Sequence, residues 1–174
     1  VFFMSNIIPQ SSVNNSGVWG TFEGYCRTLA QTNELLIISG PSGFDGYRIN
    51  TNGPVFIPAY TWKIVVVVPP GEGTALSRIT DSTRVIALKI PNTDDATNKW
   101  PAYVISANQI QVDTGLSFFT ALPDDLAAAL RNKVDGQTNP PPVIFAFSPT
   151  KGSANTYVVI NGTNFGSAME VTIN

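Results

Sequence analysis

The sequence predicts an α+β fold: a mainly antiparallel sheet carrying one long helix near the N-terminus, followed by a second, all-β segment. Three observations predict it. Asn15, Trp19, Glu23 and Arg27 recur every four residues in a proline-free stretch, and in a helix such residues form one gently winding stripe. Short runs rich in Val, Ile and Phe, bounded by Gly and Pro, follow as strands. Finally, Asp135-Gly-Gln-Thr-Asn-Pro-Pro-Pro142 reads as a stiff linker, after which only strand and turn patterns remain.

Phe2 to Ser5 ends a strand, and residues 6–14 form a polar loop in which Pro9 blocks regular structure. The helix is predicted from Asn15, a good N-cap type, to about Gln31. Glu34 to Ser39 is a strand cut off by Gly40-Pro41, and a Gly-rich loop runs to Asn52. Val55 to Pro58 is short and extended. Thr61 to Val68 is a central strand, because its apolar run Ile64–Val68 is unbroken and stops at Pro69-Pro70. Thr83 to Ile90 and Trp100 to Ser106 are further strands, with a turn at Pro69–Gly73 and a polar loop at 91–99. Ala107 to Thr114 is a short helix or loop. Pro123 to Lys133 is a helix, with Pro123 and Asp124-Asp125 suited to its first turn. Beyond the linker, 143–149, 157–160 and 169–173 read as strands and 161–166 as a turn.

Composition sets limits on function. Hydrophobic content of 43% supports a real core, and 13% charged residues is low. Low charge with abundant Asn, Thr, Ser and Pro points to a secreted, extracellular bacterial protein. A net charge of −2 gives no whole-molecule attraction to nucleic acid, so such binding needs a local patch. Cys26 is the sole cysteine and histidine is absent, which excludes an internal disulfide, a Cys–His pair, a Ser–His triad and a His-ligated zinc site within these residues. Cys26 reads as a small buried apolar residue. No apolar run approaches membrane-spanning length, so no membrane partner is expected.

An amide, an indole, a carboxylate and a guanidinium on one stripe do not make an apolar core face. An oxygen ligand at the helix start, with an acid and a base below it, suits a hard cation and a phosphate. The pattern Ser5-Asn6-x-x-Pro9-Gln10, then Asn15-x-x-x-Trp19-x-x-x-Glu23-x-x-x-Arg27, resembles the DNA/RNA non-specific endonucleases, which carry the ββα-metal or His-Me finger active site. The resemblance continues in order through Ile38-Ser39-Gly40-Pro41, Ile57-Pro58, Trp62-Lys63, Arg84-Val85-Ile86-Ala87, Thr114-Gly115-Leu116-Ser117-Phe118-Phe119 and Leu122-Pro123. It covers residues 1–134, the expected nuclease domain.

The resemblance implies metal-dependent hydrolysis of DNA and RNA phosphodiesters with little base specificity, since phosphates carry no sequence information. It implies Mg²⁺ or Mn²⁺ on Asn15, with Glu23, Arg27 and Asn6 as catalytic residues. Gln10, Lys63 and Arg48 are the expected substrate contacts. All but Arg48 have a simpler alternative: Asn15 caps the helix, Glu23 and Arg27 form an i,i+4 ion pair, Asn6 and Gln10 serve the turn, and Lys63 is an edge or solvent-facing charge. Trp19 reads as core. Many relatives are dimers, so a homodimer is expected as one option.

The family's general base is a histidine in an Asp-Arg-Gly-His segment upstream of Ser-Asn-x-x-Pro-Gln. No histidine is present and the chain starts at Val1, so the expectation is an N-terminally truncated nuclease domain whose parent is the active enzyme. The alternative is a catalytically inactive, nuclease-like extracellular binding or adhesion protein. After the linker at 135–142, Ser148-Pro149, Gly152 and Val158-x-Ile160-x-Gly162-x-x-Phe165-Gly166 resemble the opening of an immunoglobulin-like IPT/TIG domain. Residues 143–174 are thus expected to be an incomplete β-sandwich.

Overall fold

The structure is a computed structural model and describes residues 7–50, 53–136, 143–153 and 156–163. The chain divides into two units, Val1–Asp135 and Gly136–Asn174. The first is a four-stranded antiparallel sheet with helices on both faces. Its elements are a π-helical segment Asn14–Trp19 running into helix α1 (Gly20–Leu29), strand β1 (Glu34–Ser42), a hairpin of β2 (Gly46–Asn50) and β3 (Gly53–Ile57), then β4 (Tyr60–Val68) and β5 (Arg84–Pro91). Next come β6 (Val104–Ile105), α2 (Ala107–Thr114) and α3 (Asp124–Arg131). The sheet order is β1-β4-β5-β6, and every pairing is antiparallel.

Strand alternation sorts the core into two layers. Trp62, Ile64, Val66 and Val68 of β4, with Val85 and Ala87 of β5, pack against Ala107 and Ile110 of α2, Leu130 of α3 and Phe118. Val65, Val67, Ile86, Leu88 and Ile90 face the other way and pack against Val18, Phe22 and Cys26 of the N-terminal helix. A strand covered on both faces needs no polar side, which is why β4 reads as one apolar run. Lys63 and Thr61 are the exceptions, both buried. Their register places them on the α1 face, the face that carries the candidate site.

Four sequence expectations for the first unit are corrected. The helical run begins at residue 12, ahead of Asn15, and ends at Leu29, short of Gln31. Strand β1 passes through Gly40-Pro41 to Ser42. Pro41 is tolerated because, among the described residues, β1 pairs only with β4, so its missing N–H falls at an edge. Gly40 is required by close approach: an added Cβ would lie 2.7 Å from the Trp62 ring. The Gly-rich loop is the β2–β3 hairpin, stabilised by Phe44, Tyr47 and Phe56, whose ring centroids lie 4.9–6.4 Å apart. The strand expected from Trp100 is a 3-10 turn over Trp100–Tyr103 that narrows to the two-residue β6. Pro101 cannot donate to the ladder, and the Trp100 ring instead packs 5.1 Å from Phe22 and 4.9 Å from Tyr25.

In the second unit β7 (Val143–Ser148) pairs antiparallel with β8 (Val159–Thr163), with an irregularity between Ile144 and Ala146. Strand β8 therefore takes in Asn161-Gly162-Thr163, where the sequence predicts a turn. The strand expected at 169–173 lies outside the described residues. No helix among the described residues is long and apolar enough to cross a membrane.

Candidate metal and phosphate site

The N-terminal helix is fastened to the sheet by three short polar residues. Ser11 is the cap: its Oγ accepts from the Asn14 N–H at 3.0 Å, and its carbonyl accepts from the Asn15 N–H at 2.9 Å. Asn92, just past β5, accepts from Ser11 N–H at 2.8 Å and donates to the Pro9 and Pro58 carbonyls at 3.1 and 2.9 Å. Asn14 has no exposed surface. Its Nδ2 donates to Thr61 Oγ1 at 3.0 Å and to the Pro91 carbonyl at 3.1 Å, while Oδ1 accepts from Gln10 Nε2 at 3.4 Å. A buried amide satisfied in this way specifies one docking position for the chain that carries it.

Asn15 is the next residue, and its side chain is exposed. The capping role that its type suggests belongs to Ser11, so the Asn15 amide oxygen is not spent on the helix end. That corrects the alternative reading of Asn15 as a cap.

Two turns below, Glu23 meets Lys63 of β4. Lys63 Nζ donates to Glu23 Oε1 at 3.2 Å and lies 4.1 Å from the centroid of the Trp19 ring. The Lys63 side chain is 7% exposed and that of Glu23 41%, so the ammonium is held under the helix while the carboxylate still reaches solvent. Lys63 is thus a buried charge on a central strand, not the edge or solvent-facing charge of the alternative reading. The partner of Glu23 is Lys63, not Arg27. Trp19 is half-buried against the core, with its ring over the ammonium, a favourable arrangement of π-face and cation.

An open pocket of ≈ 420 Å³ adjoins this group, lined by Glu23, Cys26, Arg27, Leu35, Ile37 and Lys63 among others. Arg27 is exposed at its rim, with its guanidinium available to an anion. Cys26 is buried. Burial pushes its thiol pKa up, opposed in part by Lys63, so the thiol is a protonated wall of the pocket and not a nucleophile.

The structure therefore brings Asn15, Trp19, Glu23, Arg27 and Lys63 onto one side of the sheet. Gln10 is placed at the helix start against Asn14. Arg48 sits on β2 opposite Val55; its side chain, like the whole of Asn6, lies outside the described residues. Sequence reasoning missed Asn14, Asn92 and Thr61, which hold the site without belonging to it. The adjoining motif pieces are explained by register: Gly40 pairs with Trp62 and Ser39 with Lys63 across β1 and β4.

The donor set suits a hard divalent ion. Among the described residues no three His, Cys, Asp or Glu side chains converge.

Comparison with known proteins assigns the fold and its residues to a family. The model of the DNA/RNA non-specific endonuclease family matches residues 1–125. The chain belongs to that family. A nuclease of Nostoc sp. is 42% identical over 136 residues, spanning 77% of this chain and 48% of that protein. The mitochondrial nuclease EXOG of Homo sapiens is 30% identical over 148 residues, spanning 75% of this chain and 37% of the relative. A solved EndoG/EndoGI complex superposes with a TM-score of 0.52 at 17% identity, covering 72% of this chain and 53% of that one. This confirms the α+β, ββα-metal type of fold for the endonuclease-family part. The chain spans about half the length of the Nostoc relative and over a third of EXOG.

Proposed function

We propose that residues 1–134 are the metal-ion and phosphate side of a divalent-metal-dependent endonuclease that hydrolyses phosphodiesters of DNA and RNA alike. The observation that carries this reading is an exposed Asn15 amide above a Glu23 carboxylate anchored by a buried lysine, in a chain of the endonuclease family. Asn15 would hold Mg²⁺ or Mn²⁺, which when bound stabilises charge on the reacting phosphate and the leaving oxygen. Lys63 Nζ donates to one oxygen of Glu23 and leaves that side chain 41% exposed, so the carboxylate can accept hydrogen bonds from water near the phosphate. Arg27 at the pocket rim, with Gln10 and Arg48, would contact the nucleic-acid backbone; Asn6 would serve the same site from the preceding loop. Contacts of this kind read phosphate and not bases.

The 174 residues contain no histidine, so the histidine base that the family resemblance implies is not among them. That same observation supports the second reading, an inactive extracellular binding protein with a nuclease-like domain. Secretion from a bacterium and an IPT/TIG-type second domain at 143–174 belong to both readings and rest on composition and on the Val158–Gly166 pattern. The deciding assay is plasmid and RNA cleavage by the longest reading frame containing this chain, with Mg²⁺ and with EDTA. Cleavage that EDTA abolishes, that Asn15→Ala eliminates and that Glu23→Ala lowers by roughly 10–100-fold is the expected result. Binding of nucleic acid without cleavage under any divalent ion overturns the enzyme reading in favour of the second.

A further inference from the structure

The π-helical segment is a departure from regular geometry that the proposed ion site makes intelligible. In a continuous α-helix eight residues overshoot two turns by roughly 80°, which would carry Asn15 well round from Glu23. A π turn closes from i to i+5 and is wider, so four of its residues fall short of a full circle. The overshoot between Trp19 and Glu23 in α1 is then offset by the shortfall between Asn15 and Trp19 in Asn14–Trp19. Asn15 and Glu23 come onto one line because of the π segment.

π segments are rare and need a reason to persist. The first residue of this one is Asn14, fully buried, with its amide bonded to Thr61 Oγ1, the Pro91 carbonyl and Gln10. Reverting to α-geometry turns the start of the helix by about one residue, or roughly 100°. That would withdraw Asn14 from Thr61 and Pro91 and leave buried polar groups unpaired, which is costly.

We propose that Asn14 is a positioning residue, whose buried amide selects the π register and thereby aims Asn15 at a divalent ion shared with the Glu23 side of the site. The proposal rests on the reading of Asn15 as an ion ligand. It is tested on the 174-residue chain with Mn²⁺ as the probe, by paramagnetic broadening in ¹H–¹⁵N spectra. In the unsubstituted chain broadening centres on Asn15 and its neighbours on the Glu23 side, and Asn15→Ala removes it. Asn14→Leu and Thr61→Val, the latter close to isosteric, each weaken Mn²⁺ binding tenfold or more while signals from α2 and α3 are unchanged. Those unchanged signals separate positioning from unfolding; if Asn14→Leu fails to fold, Thr61→Val decides. Folded variants that bind Mn²⁺ as tightly as the unsubstituted chain overturn the role of Asn14 and leave the ion site standing. Broadening insensitive to Asn15→Ala, or absent altogether, overturns the ion ligand and the positioning role together.

Discussion

Neighbouring residues of one helix play opposite parts here. Asn14 is buried and Asn15 exposed; Cys26 is a wall and Arg27 a rim. Cys26 gives a direct check on the pocket. Its pKa is raised above the unfolded thiol value chiefly by burial, so the folded state keeps the proton. The linked stability is complete below the unfolded pKa and is lost as pH rises through the folded one. Alkaline conditions should therefore destabilise the chain, and Cys26→Ala should flatten that alkaline loss in urea melts. Iodoacetamide at pH 8 should label the folded chain at least about tenfold more slowly than the chain in urea; equal rates would mean that the thiol is open to solvent. The helical stripe of Asn15, Trp19, Glu23 and Arg27 is legible in the sequence from its four-residue spacing, while the roles proposed for these residues rest on the family resemblance. Asn14 and Asn92 are not legible there, because a buried asparagine in a loop or at a helix start is spelled like any turn residue. Only the positions of Thr61 and Pro91, far off in the chain, give it a role.

The elements were legible where one face is apolar or a run is unbroken, as in β4, β5 and α3. They were misread where long-range contacts decide. Gly40-Pro41 is a stop signal locally, but Trp62 lies across from it, its indole Nε1 donating to the Pro41 carbonyl at 3.0 Å. The strand continues because that bond and the buried ring hold it there. Gly40→Ala tests this packing. Its new Cβ would fall 2.7 Å from a ring that is 3% exposed and packed 5.5 Å, centroid to centroid, against Phe118. The ring has no free volume to enter, so a loss of about 1–3 kcal/mol is expected in urea unfolding, with a shift in tryptophan emission. A neutral Gly40→Ala would show that Trp62 is not confined. The two-stranded β2–β3 arm makes the same point in reverse. Its glycines suggest a loop, yet the cross-strand pairing of Tyr47 with Phe56 makes it a hairpin.

Among the described residues the four-stranded sheet ends in two edges, the two-residue β6 and the much longer β1. Among the described residues no strand pairs with the outer edge of β1, and Leu36, Ile37 and Ile38 are 38–50% exposed along it. Such an edge offers unpaired backbone groups flanked by apolar side chains, the arrangement that recruits another strand. Little opposes association electrostatically, since net charge is only −2 and charged residues are sparse. The 174-residue chain is therefore expected to self-associate reversibly, with mean mass in sedimentation rising with concentration. Ile38→Lys is the informative substitution. Ile38 pairs with Ile64 on the face away from Lys63 and Glu23, beside a smaller apolar pocket of ≈ 210 Å³. A lysine there charges the edge and leaves the α1 face untouched. It should hold the chain monomeric with Mn²⁺ binding unchanged. If Ile38→Lys associates as readily as the unsubstituted chain, the contact lies elsewhere, and the exposed aromatic cluster of Phe44, Tyr47 and Phe56 becomes the surface to substitute next.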